Sequence, residues 1–211
     1  QSDEFRRIYE VFKAHDIQYF LYNGGNDSQD TTHKLAQYFE EKKLDIHCIG
    51  IPKTIDNDLY GTDNCPGFGS AAKFLATSIL EAGIDLLGMH ETSTKVFVLE
   101  TMGRHAGWLA GATSLAPKPF RPQIILLPER HFQEDNFLSQ VEKTVQTEGY
   151  CIVAVAEGLK NKNGSLLSQQ GGQDAFGHAQ LGGIGANIAH LIKSKLNLKS
   201  HFAICDYLQR S

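Results

Sequence analysis

Two stretches concentrate residue types that handle phosphate: Gly24-Gly25-Asn26-Asp27-Ser28 and Pro52-Lys53-Thr54-Ile55-Asp56-Asn57-Asp58. The first couples glycines to side-chain oxygens, which suits a turn that brings backbone N–H groups up to a phosphate or a metal. A tight strand-to-helix turn with Asp27 or Ser28 as N-cap explains the same residues equally well. The second stretch is more specific. Moving a phosphoryl group onto a hydroxyl needs a carboxylate to take the proton, a cation to neutralise the moving group, and a fixed in-line geometry. Asp56 is the candidate base, Lys53 the cation and Thr54 a hydroxyl donor. The plainer alternative is an Asx-turn loop with no chemistry of its own. Arg104, between Gly103 and His105, has the guanidinium fork of a phosphate clamp, although many loop arginines are simply solvated. Glu157 and Arg210 are suited to a polyol and its phosphate, and each is anonymous without the other loops.

These groups must be held by regular elements, and hydrophobic periodicity supplies them. Phe5, Ile8, Tyr9 and Phe12 predict a helix over 3–15, and Leu35, Tyr38 and Phe39 one over 31–42. Pro66 opens a predicted helix to residue 82, with Leu75, Ile79 and Leu80 on its buried face. Further helices are predicted at 106–116, 134–147 and 181–196. Strands are predicted at 17–22, 46–51, 95–100, 123–127, 150–156 and 202–205, and a polar mobile loop at 161–173. Runs such as Ile-Ile-Leu-Leu and Cys-Ile-Val-Ala-Val are apolar on both faces. The expected class is therefore α/β, a doubly wound, mostly parallel sheet with helices on both faces. Such sheets bind ligands beyond the carboxyl ends of their strands. The polar clusters at 23–28, 52–58, 101–105, 157–158 and 206–210 all fall there, so the expectation is one site lined by five strand-end loops.

The bulk properties exclude other classes. The 211 residues are 41% apolar and 21% charged, as in a soluble globular chain. A net charge of −4 gives no basic field for nucleic acid. No apolar run approaches the roughly 18–20 residues that span a bilayer, and no signal-peptide pattern opens the chain. Cys48, Cys65, Cys151 and Cys205 are scattered and read as buried thiols of a reducing compartment. A start at Gln1 and an abrupt end at Ser211 lead us to expect an excerpt of a longer protein.

Read together, the Gly24–Ser28 and Pro52–Asp58 stretches, Met102-Gly103-Arg104-His105-Ala106-Gly107, Ala156-Glu157-Gly158 and Tyr207-Leu208-Gln209-Arg210 resemble the 6-phosphofructokinase family. The resemblance runs from Ile17 to the last residue. It implies that Asp56 deprotonates the 1-hydroxyl of fructose 6-phosphate and that Arg104 and Lys53 stabilise the transferring group. Thr54 and Asp58 would contact sugar or phosphoryl, and Met102, Gly103 and Glu157 would bind the sugar. Tyr207 and Arg210 would hold the 6-phosphate. Lys95 falls where the family places a phosphate-binding arginine contributed by a neighbouring subunit, which implies a homodimer or higher homo-oligomer. Gly25, Asp27, Ser28 and Lys53 would bind the donor, Asn26 and Asp27 would hold Mg²⁺, and the enzyme would be cytoplasmic.

Two positions resemble the pyrophosphate-dependent branch. ATP users of the family carry a glycine where this chain has Asp27 and a small residue where it has Lys53. A carboxylate at 27 repels an α-phosphate, and an ammonium at 53 supplies charge compensation for a shorter donor. Two others depart from the family: Asn26 replaces a Mg²⁺-binding aspartate, and His201 replaces an arginine, with Lys199 nearby as a substitute. The expected division is a donor and catalytic part over 1–115 and a sugar-phosphate part over 116–211. The family's Gly-Gly-x-x-Pro-Gly donor loop is not among these residues, so the isolated chain is expected to be inactive. The competing readings are an ATP-dependent 6-phosphofructokinase and a catalytically silent domain that binds sugar phosphates or assembles with a partner.

Overall fold

The computed structural model describes residues 2–167 and 182–211, which form two compact units, Gln1–Gly67 and Phe68–Ser211. In the first, helix α1 (Ser2–Ala14), strand β1 (Tyr19–Gly24), helix α2 (Asn26–Glu41) and strand β2 (His47–Pro52) follow one another. β1 and β2 pair in parallel, from Tyr19 opposite His47 to Gly24 opposite Pro52. The helical stripe of α1 meets that of α2 around Phe12, Leu35 and Phe39, and Phe20 and Cys48 of the strands close this core from below. Because strand side chains alternate, the opposite face of the pair carries Tyr19, Leu21, Ile49 and Ile51, which are exposed. Helices on both faces were expected; among the described residues this pair has them on one.

The second unit holds a four-stranded, all-parallel sheet in the order β4-β5-β3-β6. Its elements are α3 (Phe68–Met89), β3 (Val96–Thr101), α4 (Trp108–Ala112), β4 (Ile124–Leu126), α5 (Glu134–Glu148), β5 (Cys151–Ala156), α6 (Ile184–Leu196) and β6 (Ser200–Ile204). Short 3₁₀ turns follow α4 and β6, at Thr113–Leu115 and Asp206–Arg210. The central strands β3 and β5 are buried almost throughout. On one face Val96, Val98, Val153 and Val155 pack on Phe137 and Val141 of α5 and on Ile184, Ile188 and Ile192 of α6. On the other face lies α3. The fold is α/β with parallel strands and flanking helices, as the apolar runs required. Among the described residues the six strands fall into two sheets, a division that strand periodicity does not encode.

Three boundaries differ for identifiable reasons. α3 starts at Phe68, because Gly67 holds a left-handed φ of +93° after Pro66. It then continues past residue 82, because Gly83 is buried as a packing glycine and does not break the helix. A Cβ there would lie 3.0 Å from Phe120 Cβ and 3.2 Å from Ile152 Cδ1. α2 begins at Asn26, five residues before the predicted 31, because β1 runs directly into it. In the predicted mobile loop, Asn161 Oδ1 accepts from the N–H groups of Asn163 (2.9 Å) and Ser165 (3.0 Å), closing a turn over 161–165. Residues 168–173 of that loop, and Leu181 of the predicted last helix, lie outside the described residues.

The four cysteines are free thiols, and burial pushes Cys151 up to about 12, which keeps it protonated and inert. Among the described residues no helix is long and apolar enough to cross a membrane. The close passage at Gly83 is testable. Gly83→Val should destabilise the protein by about 1–3 kcal/mol through overpacking against Phe120 and Ile152. Urea unfolding checks this, with a lowered midpoint and an unchanged slope as the expected result.

Candidate functional site

At the carboxyl end of β1 the chain passes through one extended residue, Gly25 (φ −81°, ψ −158°), and enters α2. Asn26, Asp27 and Ser28 are therefore the first turn of a 16-residue helix and not an open loop. The first N–H groups of a helix lack intrahelical acceptors and carry partial positive charge, which suits an anion. The same field favours a carboxylate at Asp27 on purely structural grounds. Gly24 admits no side chain, because a Cβ would overlap Ser28. Gln29, which sequence reading passed over, ties the strand ends together. Its Nε2 donates to Gly24 O (3.0 Å) and to Ile51 O (3.0 Å), while Lys53 N donates to Gly24 O (2.9 Å).

The 52–58 turn is organised by two of its own residues. Thr54 Oγ1 accepts from Asp56 N (3.2 Å). Asn57 adopts a left-handed φ of +55° and buries its amide, whose Oδ1 accepts from Cys65 N (2.8 Å) and whose Nδ2 donates to Asp63 O (3.0 Å). Lys53 is exposed and Asp56 half-buried beside that anchor. Asn26 Nδ2 donates to Asp58 Oδ2 (3.3 Å), which brings the predicted metal residue to the second stretch. Asp58 Oδ1 is buried and has no hydrogen-bond partner among the described residues. A buried acceptor left this way costs about 1–3 kcal/mol unless a donor or cation meets it. The oxygens of Asn26, Asp27 and Asp58 are the hard donors that Mg²⁺ takes. Among the described residues no group of three or more His, Cys, Asp or Glu could hold a metal by itself. A divalent cation would therefore need phosphate or water oxygens as well, which is how Mg²⁺ is normally bound.

In the second unit the loops after β3, β5 and β6 interlock. Gly103 has φ +125°, and its carbonyl accepts from Gly158 N (3.1 Å). Glu157 N donates to Thr101 O (2.9 Å). Gly158 runs so close to Arg104 that a Cβ there would overlap the Arg104 backbone. Arg104 is thus half-buried on a loop clamped at its base. Met102 N donates to Gln209 Oε1 (3.0 Å), linking this loop to the 206–210 turn. Tyr207 is exposed, and the Arg210 guanidinium lies 5.2 Å from its ring centroid, a cation–π contact at the surface.

Glu100 was also missed. It is 2% exposed, and its carboxylate accepts from Gly183 N (3.1 Å) and Gly185 N (2.7 Å) at the start of α6. Burial pushes its carboxyl up, those two N–H groups pull it back, and the charge of Asp206 adds to the rise. A carboxylate ending an otherwise apolar strand was the available signal, since burying it requires donors. Glu100, Met102, Glu157, Gly183, Asp206 and Gln209 line a cavity of about 250 Å³.

Lys95 is placed differently. It precedes β3, at the end opposite Met102, and its ammonium donates to Glu91 O (3.4 Å). Lys199 (Nζ to Ser93 Oγ, 2.8 Å) and His201, which pairs with Phe97, lie at that same amino-terminal side of the sheet. Six residues of strand, about 20 Å, separate this side from the Arg104 loop.

Gly158→Ala should displace the Arg104 backbone and cost about 1–3 kcal/mol of stability. Denaturant unfolding measures the cost. An unchanged midpoint would mean that the two loops do not depend on this contact.

The family model for phosphofructokinase matches residues 1–211. A pyrophosphate–fructose 6-phosphate 1-phosphotransferase of Xanthomonas campestris pv. campestris is 52% identical over 211 residues, covering 99% of this chain and 50% of that protein. One from Halomonas elongata is 50% identical over 210 residues, covering 99% and 50%. The crystal structure of a pyrophosphate-dependent phosphofructokinase from Nitrosospira multiformis superposes with a TM-score of 0.84 at 47% identity, over 100% of this chain and 50% of its own. The chain spans about half the length of the curated relatives it matches. With the family match running over every residue and the strand-end motifs built as described, this chain belongs to the phosphofructokinase family.

Proposed function

We propose that the protein transfers a phosphoryl group from pyrophosphate to the 1-hydroxyl of fructose 6-phosphate, giving fructose 1,6-bisphosphate in a reversible glycolytic step. The observation that carries this reading is the 52–58 turn. A buried asparagine anchors it, Asp56 stands half-buried within it, and Asp58 keeps one carboxylate oxygen buried without a partner among the described residues. A turn without a ligand has no reason to hold that oxygen unmet, which supports a donor or cation meeting it there.

Asp56 takes the proton of the attacking hydroxyl. Thr54 Oγ1 accepts from Asp56 N, which holds that backbone in place, and its own proton remains available to the substrate. Lys53, exposed beside the α2 N-terminus, balances the charge of the donor with the N–H groups around Gly25 and Ser28. The oxygens of Asn26, Asp27 and Asp58 would hold Mg²⁺, which when bound neutralises donor phosphate charge. Asp27 would repel the α-phosphate of a nucleotide, and the relatives' names support the shorter donor. Arg104 stabilises the moving group as a bidentate clamp on a loop pinned by Gly158. Met102, Gly103 and Glu157 orient the sugar, while Tyr207 and Arg210 hold its 6-phosphate. Lys95 and His201 lie at the other side of their sheet, so they serve a sugar-phosphate site only in a second copy, within a cytoplasmic homo-oligomer.

Asp56→Ser in the intact protein tests the assignment. Turnover with pyrophosphate should fall by about 10²–10⁴-fold with binding of fructose 6-phosphate retained, as expected for loss of a general base. Unchanged turnover would sink the base role.

A further inference from the structure

We propose that Gln209 is a positioning residue that fixes the sugar-holding Met102–Arg104 loop to the turn carrying Tyr207 and Arg210. This rests on the function proposed above. The β3–β6 ladder ends at Glu100 opposite Ile204, after which the chain turns away at Cys205. Val96 N donates to Lys199 O on the β6 side, and strand alternation carries the same direction to Met102. The Met102 N–H is therefore the first donor past the end of the ladder. Gln209 takes it with Oε1 (3.0 Å) while its Nε2 donates to Asp206 O (3.1 Å). The side chain is 2% exposed, so no water replaces either bond. Asp206 holds φ +38°, a left-handed conformation that the amide bond to its carbonyl helps to maintain. On the far side, Thr101 O and Gly103 O are held by Glu157 N and Gly158 N. The Met102–Arg104 backbone is thus fixed on both flanks, and Gln209 is the flank that also carries the phosphate-holding residues.

Two variants of the intact protein test this through the sugar phosphate rather than through stability. Gln209→Met removes both hydrogen bonds at similar volume. The KM for fructose 6-phosphate should rise roughly ten-fold while that for pyrophosphate stays within about two-fold. Gln209→Glu keeps an acceptor for Met102 N–H, but it reaches Asp206 O as a donor only when its buried carboxyl is protonated, a form favoured by burial and by the carboxylates of Glu100, Glu157 and Asp206 that line the same cavity. Its KM for fructose 6-phosphate, relative to the parent, should therefore fall by roughly five-fold between about pH 8 and about pH 6. An unchanged KM in Gln209→Met, an equal rise in both KM values, or a ratio for Gln209→Glu that is flat with pH overturns the proposal. If Gln209→Met does not fold, the pH ratio of Gln209→Glu alone decides. A parent protein that does not turn over fructose 6-phosphate with pyrophosphate overturns the proposed reaction instead. Calorimetric binding of fructose 6-phosphate then decides the positioning claim: about ten-fold weaker binding by Gln209→Met supports it, and equal binding refutes it.

Discussion

Where a parallel ladder stops, the last backbone donors and acceptors of each strand lose their partners while still beside an apolar core. Leaving them unmet costs free energy comparable to a lost hydrogen bond. In both units a small set of polar side chains takes up these groups. Gln29 bridges Gly24 O and Ile51 O, and Gln209 takes Met102 N–H. Asn57 pins the turn that β2 leads into, and Glu100 gathers the first N–H groups of α6. None of these four is a residue to which the chemistry itself is assigned. They hold the loops to which the proposed chemistry is assigned.

That frame sets how the groups proposed to react are held. Lys53, Asn26 and Asp27 stand at or near the surface, where isolated charges are screened and contribute little. In the proposed reaction their effect would come from being fixed on the first turn of α2 and on the strand end beside it, with the helix N-terminus adding to the field. Arg104 gains in the same way, since its backbone is caught between Gly158 and the Met102 linkage. Preorganised charge stabilises a transferring phosphoryl group without reorganisation during the step. The Asp58 oxygen, unmet among the described residues, is the complementary case, an energetic cost that a donor or cation would relieve.

The alternation of apolar runs with amphipathic stretches revealed the α/β class, because burial on both faces requires β-rich runs such as Cys151–Ala156. The polar clusters at strand ends were legible because Lys53, Asp56 and Arg104 follow apolar strands with charge. The supports were hidden. Gln29 and Gln209 look like surface glutamines until the strand ends they satisfy are known, and Glu100 looks like a strand terminus. Gly83 reads as a helix breaker because nothing in a local window shows Phe120 and Ile152 above it. Lys95 was expected to act from a neighbouring subunit, and the strand's length places it at the amino-terminal side of its own sheet, away from the Arg104 loop.

The donor is the most direct measure of the account. Initial rates of fructose 6-phosphate phosphorylation by the intact protein should be compared with pyrophosphate and with ATP, each with Mg²⁺ in excess. Charge repulsion at Asp27 and compensation at Lys53 predict that pyrophosphate is faster by on the order of a hundred-fold. A rate with ATP at least equal to that with pyrophosphate would contradict the account.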